Sequence, residues 1–180
     1  MILHYFGQKL TPVMIALAGL LMAISSHAFP ASLTAEFQIR PFGPGDTLFL
    51  QSQQKLAKDM VYESLLTRLT GDKEKDLRLL QQLVDRKTLG PDQRRELQAL
   101  GSVLGQLLKK EFRLEWVVYV DQLGRSRGLQ IDSTRQVIFP LTMISRRLEA
   151  DARVDVQRIY NKASDIVRYT RANRPLFNSD

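Results

Sequence analysis

At 180 residues, the chain has room for one domain, or for a small domain with an appendage. Its 44% hydrophobic content can bury an ordinary core without staples, and the absence of cysteine excludes disulfides, thiolate nucleophiles and cysteine zinc sites. A net charge of +7 favours anionic partners, although the same excess also serves solubility alone.

Met1 to Ala28 reads as a secretory signal. His4 and Lys9 make a weakly cationic start, Val13 to Ile24 is an apolar run, and Ser26-His27-Ala28 is a small-x-small cleavage site. The apolar run is short for a membrane span, which needs about 20 residues. The expected product is periplasmic or secreted and cut after Ala28; an uncleaved signal acting as an anchor is the alternative. With no cysteine after the run, a bacterial lipoprotein is excluded. Both histidines, His4 and His27, lie inside the segment, so the mature chain is expected to contain neither His nor Cys.

Residues 29–45 hold Pro30, Pro41 and Pro44 with two glycines and read as an extended leader. Within it, Glu36 to Arg40 is either one short strand or a mobile linker. Asp46 is placed to cap a helix running to about Thr70 and stopping at Gly71. Phe49, Leu56, Met60, Leu65 (or Leu66) and Leu69 form its apolar stripe. A second helix starts at Asp72 and runs to about Lys87, burying Leu77, Leu80, Leu83 and Val84. Its other face, with Lys73, Glu74, Lys75, Asp76, Arg78, Asp85 and Arg86, reads as solvated. These two helices make residues 46–90 a helical extension.

Gly90-Pro91 breaks the chain, and Pro91 with Asp92 opens a third helix to about Phe112, striped by Leu97, Leu100, Leu104, Leu107 and Leu108. Gly101 and Gly105 share one side of it and invite close approach, with a bulky residue such as Trp116 or Phe139 expected above them. Three antiparallel strands follow. Leu114 to Asp121 puts Leu114, Trp116, Val118 and Val120 on one face and Glu115, Val117, Tyr119 and Asp121 on the other. After a turn at Gln122–Arg125, Ser126 to Asp132 puts Arg127, Leu129 and Ile131 on one face. A turn at Asp132–Thr134 leads to Gln136–Phe139. Pro140 then opens a helix with Leu141, Ile144 and Leu148 at helical spacing. Val117 beside Tyr119 marks a second sheet face, covered by the protein's own helices in the preferred reading and a docking patch in the other. A last helix runs from Val154 to about Ala172, with Val156, Ile159, Tyr160, Ala163, Val167 and Thr170 on one face. Residues 173–180 are expected to fray.

The residues 101–104, Glu115-Trp116-Val117, Asp121, Gly124, and above all Phe139-Pro140-Leu141-Thr142-Met143-Ile144-Ser145 with Arg147 resemble an uncharacterised bacterial family, domain-of-unknown-function family 3806. The resemblance covers Arg94 to Tyr169. It implies a compact α+β domain and carries no catalytic residue with it. The fold class expected is therefore α+β: a three-stranded antiparallel meander packed by helices, with the family-like domain at 91–172.

Chemistry is bounded mostly by what is missing. Without His and Cys in the mature chain there is no Ser-His-Asp or Cys-His apparatus and no His-based metal site, and no cofactor is expected. Glu115, Asp121 and Asp132 are the carboxylates nearest the sheet, but turn and surface roles suffice for them. Ser164 with Lys162, two apart on a helix, point in different directions, and Ser145 has no base within reach. The chain is thus expected not to be an enzyme. An exported protein without an aromatic stacking pattern on its strands is not expected to bind nucleic acid. What remains is an interaction or scaffold module with an envelope protein partner. The alternative is a binder of an anionic envelope component (phospholipid, lipopolysaccharide or peptidoglycan) through Arg125, Arg127, Arg135, Arg146 and Arg147. Because the two meander turns lie at opposite ends of the middle strand, those arginines are not expected to form one patch.

Overall fold

The computed structural model describes residues 37–86, 89–90, 92–150 and 153–173, all within one unit spanning Ala35–Asp180. The signal segment with its cleavage site and both histidines, the first part of the leader (29–36), residues 87–88, Pro91, residues 151–152 and the tail from 174 onward lie outside the described residues. In chain order the elements are β1 (Gln38–Pro41), α1 (Pro44–Leu65), α2 (Lys73–Asp85), α3 (Arg94–Phe112), β2 (Glu115–Asp121), β3 (Gly124–Gln130) and β4 (Val137–Ile138). A 3-10 turn (Pro140–Thr142), α4 (Ser145–Glu149) and α5 (Val156–Ala172) complete them.

The sheet has four strands, ordered β1-β2-β3-β4 and antiparallel throughout. The three-stranded expectation is corrected by β1, which pairs Gln38 with Val120 and Pro41 with Val117. Pro41 is tolerated because β1 is an edge strand and needs no donor on its outer side. The hairpin between β2 and β3 is tighter than its sequence suggested. Asp121 pairs with Gly124, leaving only Gln122 and Leu123 in the loop, and Gly124 takes φ +123°, open to glycine alone.

Alternation along β2 and β3 sorts the sheet into two faces. The inner face carries Leu114, Trp116 and Leu129, and these join Ile131 and Ile138 in one hydrophobic cluster with all the long helices. At the middle of that cluster is α3, buried without a break from Ala99 to Gly105 and exposing charged side chains such as Arg94, Arg95, Lys110 and Glu111 at its two ends. Its glycines are why it can sit so deep. A Cβ at Gly105 would lie 2.4 Å from Cζ2 of Trp116, and one at Gly101 would lie 2.6 Å from the carbonyl oxygen of Pro140. Trp116 thus covers Gly105 as expected, whereas Gly101 takes the Pro140–Leu141 backbone rather than a bulky side chain.

Three local expectations are corrected. Asp46 is not the cap of α1 but its third residue: Gly43 is the cap, because Pro44 supplies a pre-set first-turn φ and no N–H to satisfy. The helix ends at Leu65, with Leu66 at φ 51° and its N–H bonded to the Tyr62 carbonyl, not at Gly71. The cause is Asp76. Expected on the solvated face of α2, this residue is 2% exposed, and its carboxylate accepts the N–H groups of Thr70 (2.9 Å) and Gly71 (2.8 Å). Continuing α1 would need the Thr70 N–H for its own ladder.

Two other helices open on aspartate caps, α2 where expected and α5 two residues later than expected. Asp72 caps α2 by accepting the Lys75 N–H, and Asp155 caps α5 by accepting that of Arg158. The buried face of α5 is Val156, Ile159, Tyr160, Ala163 and Val167, with Ser164 beside it. Three elements are tied together at Glu111 on α3, which accepts from the Tyr160 hydroxyl at 2.8 Å and pairs with Lys73 and Arg168. Burial, then the bond to Glu111, pushes the Tyr160 hydroxyl pKa well above its ordinary value, so this tyrosine is a fixed donor.

Candidate functional site

Arg125 and Arg127 fall on the inner face of β3, two residues apart and therefore on the same side. Both meet Asp46: Arg125 Nη2 at 2.5 Å and Arg127 Nε at 2.8 Å, each to Oδ1. The other carboxylate oxygen accepts the Gly43 N–H at 3.2 Å. Asp46 is 5% exposed. Its burial alone would raise the carboxyl pKa, but the bonds from Arg125, the Gly43 N–H and Arg127 outweigh it and hold the group below the ordinary carboxylate range. Arg127 also lies over the Phe49 ring at 4.0 Å, a cation–π stack that fixes its plane. These two arginines are engaged with an internal anion.

The outer face of the sheet is different in kind. Phe37 stacks on Tyr119 at 4.8 Å, Tyr119 meets Phe139 edge-on at 5.4 Å, and the Arg135 guanidinium lies 4.2 Å from the Phe37 ring centre. Phe37, Val117, Tyr119, Val137 and Phe139 all stand outside the hydrophobic cluster that the helices build. Val117 is buried, but its cover is not the helical one expected. Gly128 lies opposite it, and a Cβ there would sit 3.1 Å from the Phe139 ring. The bare glycine lets Phe139 settle onto the sheet.

A cleft of about 710 Å³ opens on this face, bordered by Phe37, Tyr119 and Phe139 and by Arg125, Arg135 and Arg146. A smaller space of about 150 Å³ adjoins it at the β3 edge, sharing Arg125, Ser126, Phe139 and Arg146 and reaching Arg127. Four of the five arginines therefore converge, against the expectation that they would be dispersed. Distance along β3 separates the two turns, but Arg135 reaches Phe37 across the face. Arg147 is the exception, facing α2 and α5 instead. Among the described residues neither Arg135 nor Arg146 has a carboxylate within ion-pair distance. The acid bordering the larger cleft is Asp121, whose Oδ1 already accepts the Leu123 N–H at 2.9 Å.

The three sheet carboxylates are held apart. Glu115 pairs with Lys109 at 2.6 Å, Asp121 closes the hairpin, and Asp132 is clamped by Arg171 at 2.8 and 3.2 Å. Glu115 and Asp121 sit at opposite ends of β2, about 20 Å apart at strand rise. Ser164 is buried and Lys162 exposed, so those two do not meet either. The elements of the site that sequence reading missed are Asp46 as the internal anion and Phe37 as part of the aromatic floor. Val117 and Tyr119 had signalled the face; nothing local signalled the Asp46 partnership.

Residues 76–160 match the family described as Domain of unknown function (DUF3806), the family to which the run from Phe139 to Ser145 pointed. That range takes in most of α2, then α3, β2, β3, β4 and α4 with the start of α5, and leaves β1 and α1 outside. A crystal structure from Bacteroides thetaiotaomicron VPI-5482 at 1.50 Å resolution is similar, with a TM-score of 0.66 and 20% identity. The match covers 72% of this chain and 48% of that one, so the present chain spans about half the length of that protein. Likeness at this identity is likeness of fold. No curated protein matches the chain.

Proposed function

We propose that this protein is a non-enzymatic interaction module of the cell envelope that meets its partner through the outer face of its sheet. One observation carries the reading: the aromatic row Phe37–Tyr119–Phe139 belongs to no helix-built core and lines an open cleft bordered by Arg135 and Arg146. A face that served only folding would be buried under helices or made polar. The envelope setting rests on the N-terminal signal pattern, and sequencing of the protein from a periplasmic fraction is expected to start at Phe29. Cytosolic protein still starting at Met1 would contradict it.

A photoreactive residue at Ser126, beside the cleft, is expected to give one discrete adduct in the producing cells. The same residue at Arg78, exposed on α2, is expected to give none. Equal labelling from both positions would contradict the reading. The second reading, an anionic envelope component held by arginine, is favoured by the unpaired state of Arg135 and Arg146 among the described residues. It predicts adducts with lipid or glycan instead of protein.

A further inference from the structure

We propose that the cleft takes an extended acidic peptide segment, laid beside the free part of β3 with its carboxylates on Arg135 and Arg146. This rests on the outer face being the interaction surface and names the partner that the surface fits.

The first ground is the strand edge. β4 pairs only with Leu129 and Gln130 of β3, after which Pro140 and Leu141 carry the chain onto Gly101 of α3. From Gly124 to Arg127, β3 therefore has β2 on one side and no strand on the other among the described residues. Such an edge offers N–H and C=O groups to an added strand, and main-chain pairing of this kind supplies affinity while side-chain pockets supply choice.

The second ground is position. The larger cleft and the smaller space share Arg125, Ser126, Phe139 and Arg146, which places β3 on one wall and the 3-10 turn with α4 on the other. An added strand alternates its side chains. One set would meet the aromatic floor of Phe37, Tyr119 and Phe139, which accepts apolar groups.

The third ground is charge. Arg135 and Arg146 are uncompensated among the described residues, and Arg125 leaves 47% of its side chain exposed while bonded to Asp46. The planar guanidinium fork matches a carboxylate in two-point geometry. A bilayer surface fits less well. The aromatic rings here are partly buried in a recess, whereas membrane insertion needs apolar groups that project, and of the residues bordering the cleft Leu123 alone does so, at 97% exposure.

The test is fluorescence anisotropy on the full chain with a short capped peptide of alternating valine and glutamate. Comparison probes are a valine–lysine peptide, the valine–glutamate peptide N-methylated on alternate residues, and vesicles containing phosphatidylglycerol. Saturable binding of the valine–glutamate peptide is expected. It should weaken with salt, fall at least roughly tenfold in the double variant Arg135→Glu, Arg146→Glu, and be lost on N-methylation or exchange of glutamate for lysine. Unchanged binding after N-methylation would overturn strand addition and leave the interaction surface standing. Binding to the vesicles alone would assign the arginines to a membrane and overturn the peptide. No peptide binding, with the Ser126 adduct still formed in cells, would sink the acidic-peptide inference by itself; loss of both would sink the surface reading too.

Discussion

Arg127 Nε donates to Asp46 Oδ1 at 2.8 Å, joining the first turn of α1 to the middle of β3 across 81 residues of sequence. The same oxygen accepts from Arg125. α1 lies outside the family match and β3 inside it, so this carboxylate fastens a helix beyond the matched range to a strand within it. Asp46→Ala would leave two guanidinium groups, one of them largely covered, without their anion. Removing one partner of a fully buried pair costs about 3–5 kcal/mol, and the partial exposure of both arginines reduces that here to about 2 kcal/mol. Urea unfolding is expected to report this as a lowered midpoint with unchanged slope. A midpoint equal to wild type would mean that the bond contributes nothing net.

Acid should remove the same contribution. The folded-state pKa of Asp46 lies below the ordinary 3.8, so its share of stability is complete above the unfolded value and is lost as pH falls through the folded one. The stability difference between wild type and Asp46→Asn should be level from neutral pH down to about pH 5 and shrink below about pH 4. A difference that instead grows on acidification would reverse the assigned sign.

Gly101 and Gly105 are close-approach sites of different hardness. Alanine at either gains about 1 kcal/mol of helix propensity, but overpacking costs about 1–3 kcal/mol. At Gly105 the obstacle is the Trp116 ring, and at Gly101 it is the backbone of Pro140 and Leu141. A smaller residue at 116 should therefore relieve Gly105→Ala and not Gly101→Ala. A double-mutant cycle with Trp116→Leu measures this, and equal coupling to both glycines would contradict the packing described.

Helix α5 closes the far end of the meander through one side chain. Arg171 bonds Asp132 twice and the Phe112 carbonyl at 2.7 Å, while Asp132 holds φ 51°, a conformation that aspartate tolerates better than most residues. Arg171→Ala is expected to cost about 1–2 kcal/mol and to speed amide exchange in the turn 131–136 more than in α5 itself. Uniform acceleration would show that the clamp is not local.

What was legible beforehand was what is local. Trp116, Val118 and Leu129 announced the inner face by alternation, Gly101 and Gly105 announced the close approach, and Asp72 announced the start of α2. β1 was ambiguous because four residues ending in proline carry almost no periodic signal; its pairing with β2 decides it. Asp46 looked like a cap because capping is the nearest use for an aspartate before a helix, and its real partners are distant in sequence. Asp76 looked solvated because its neighbours are charged, yet its two acceptors serve the backbone of the preceding linker. The arginine cluster was hidden by treating β3 as a rod with two remote ends. Gly128 and the reach of Arg135 across the face bring those ends to one cleft.

The arginines divide into two jobs: Arg125 and Arg127 hold the fold through Asp46, while Arg135 and Arg146 are the ones proposed to meet a partner. The most direct measurement pairs the Ser126 photo-adduct yield in cells with the urea midpoint, for Arg135→Glu, Arg146→Glu against wild type. The account predicts a midpoint within about 0.5 kcal/mol of wild type, as for surface substitutions, together with loss of most of the adduct. A stable double variant that still forms the adduct in full would contradict it.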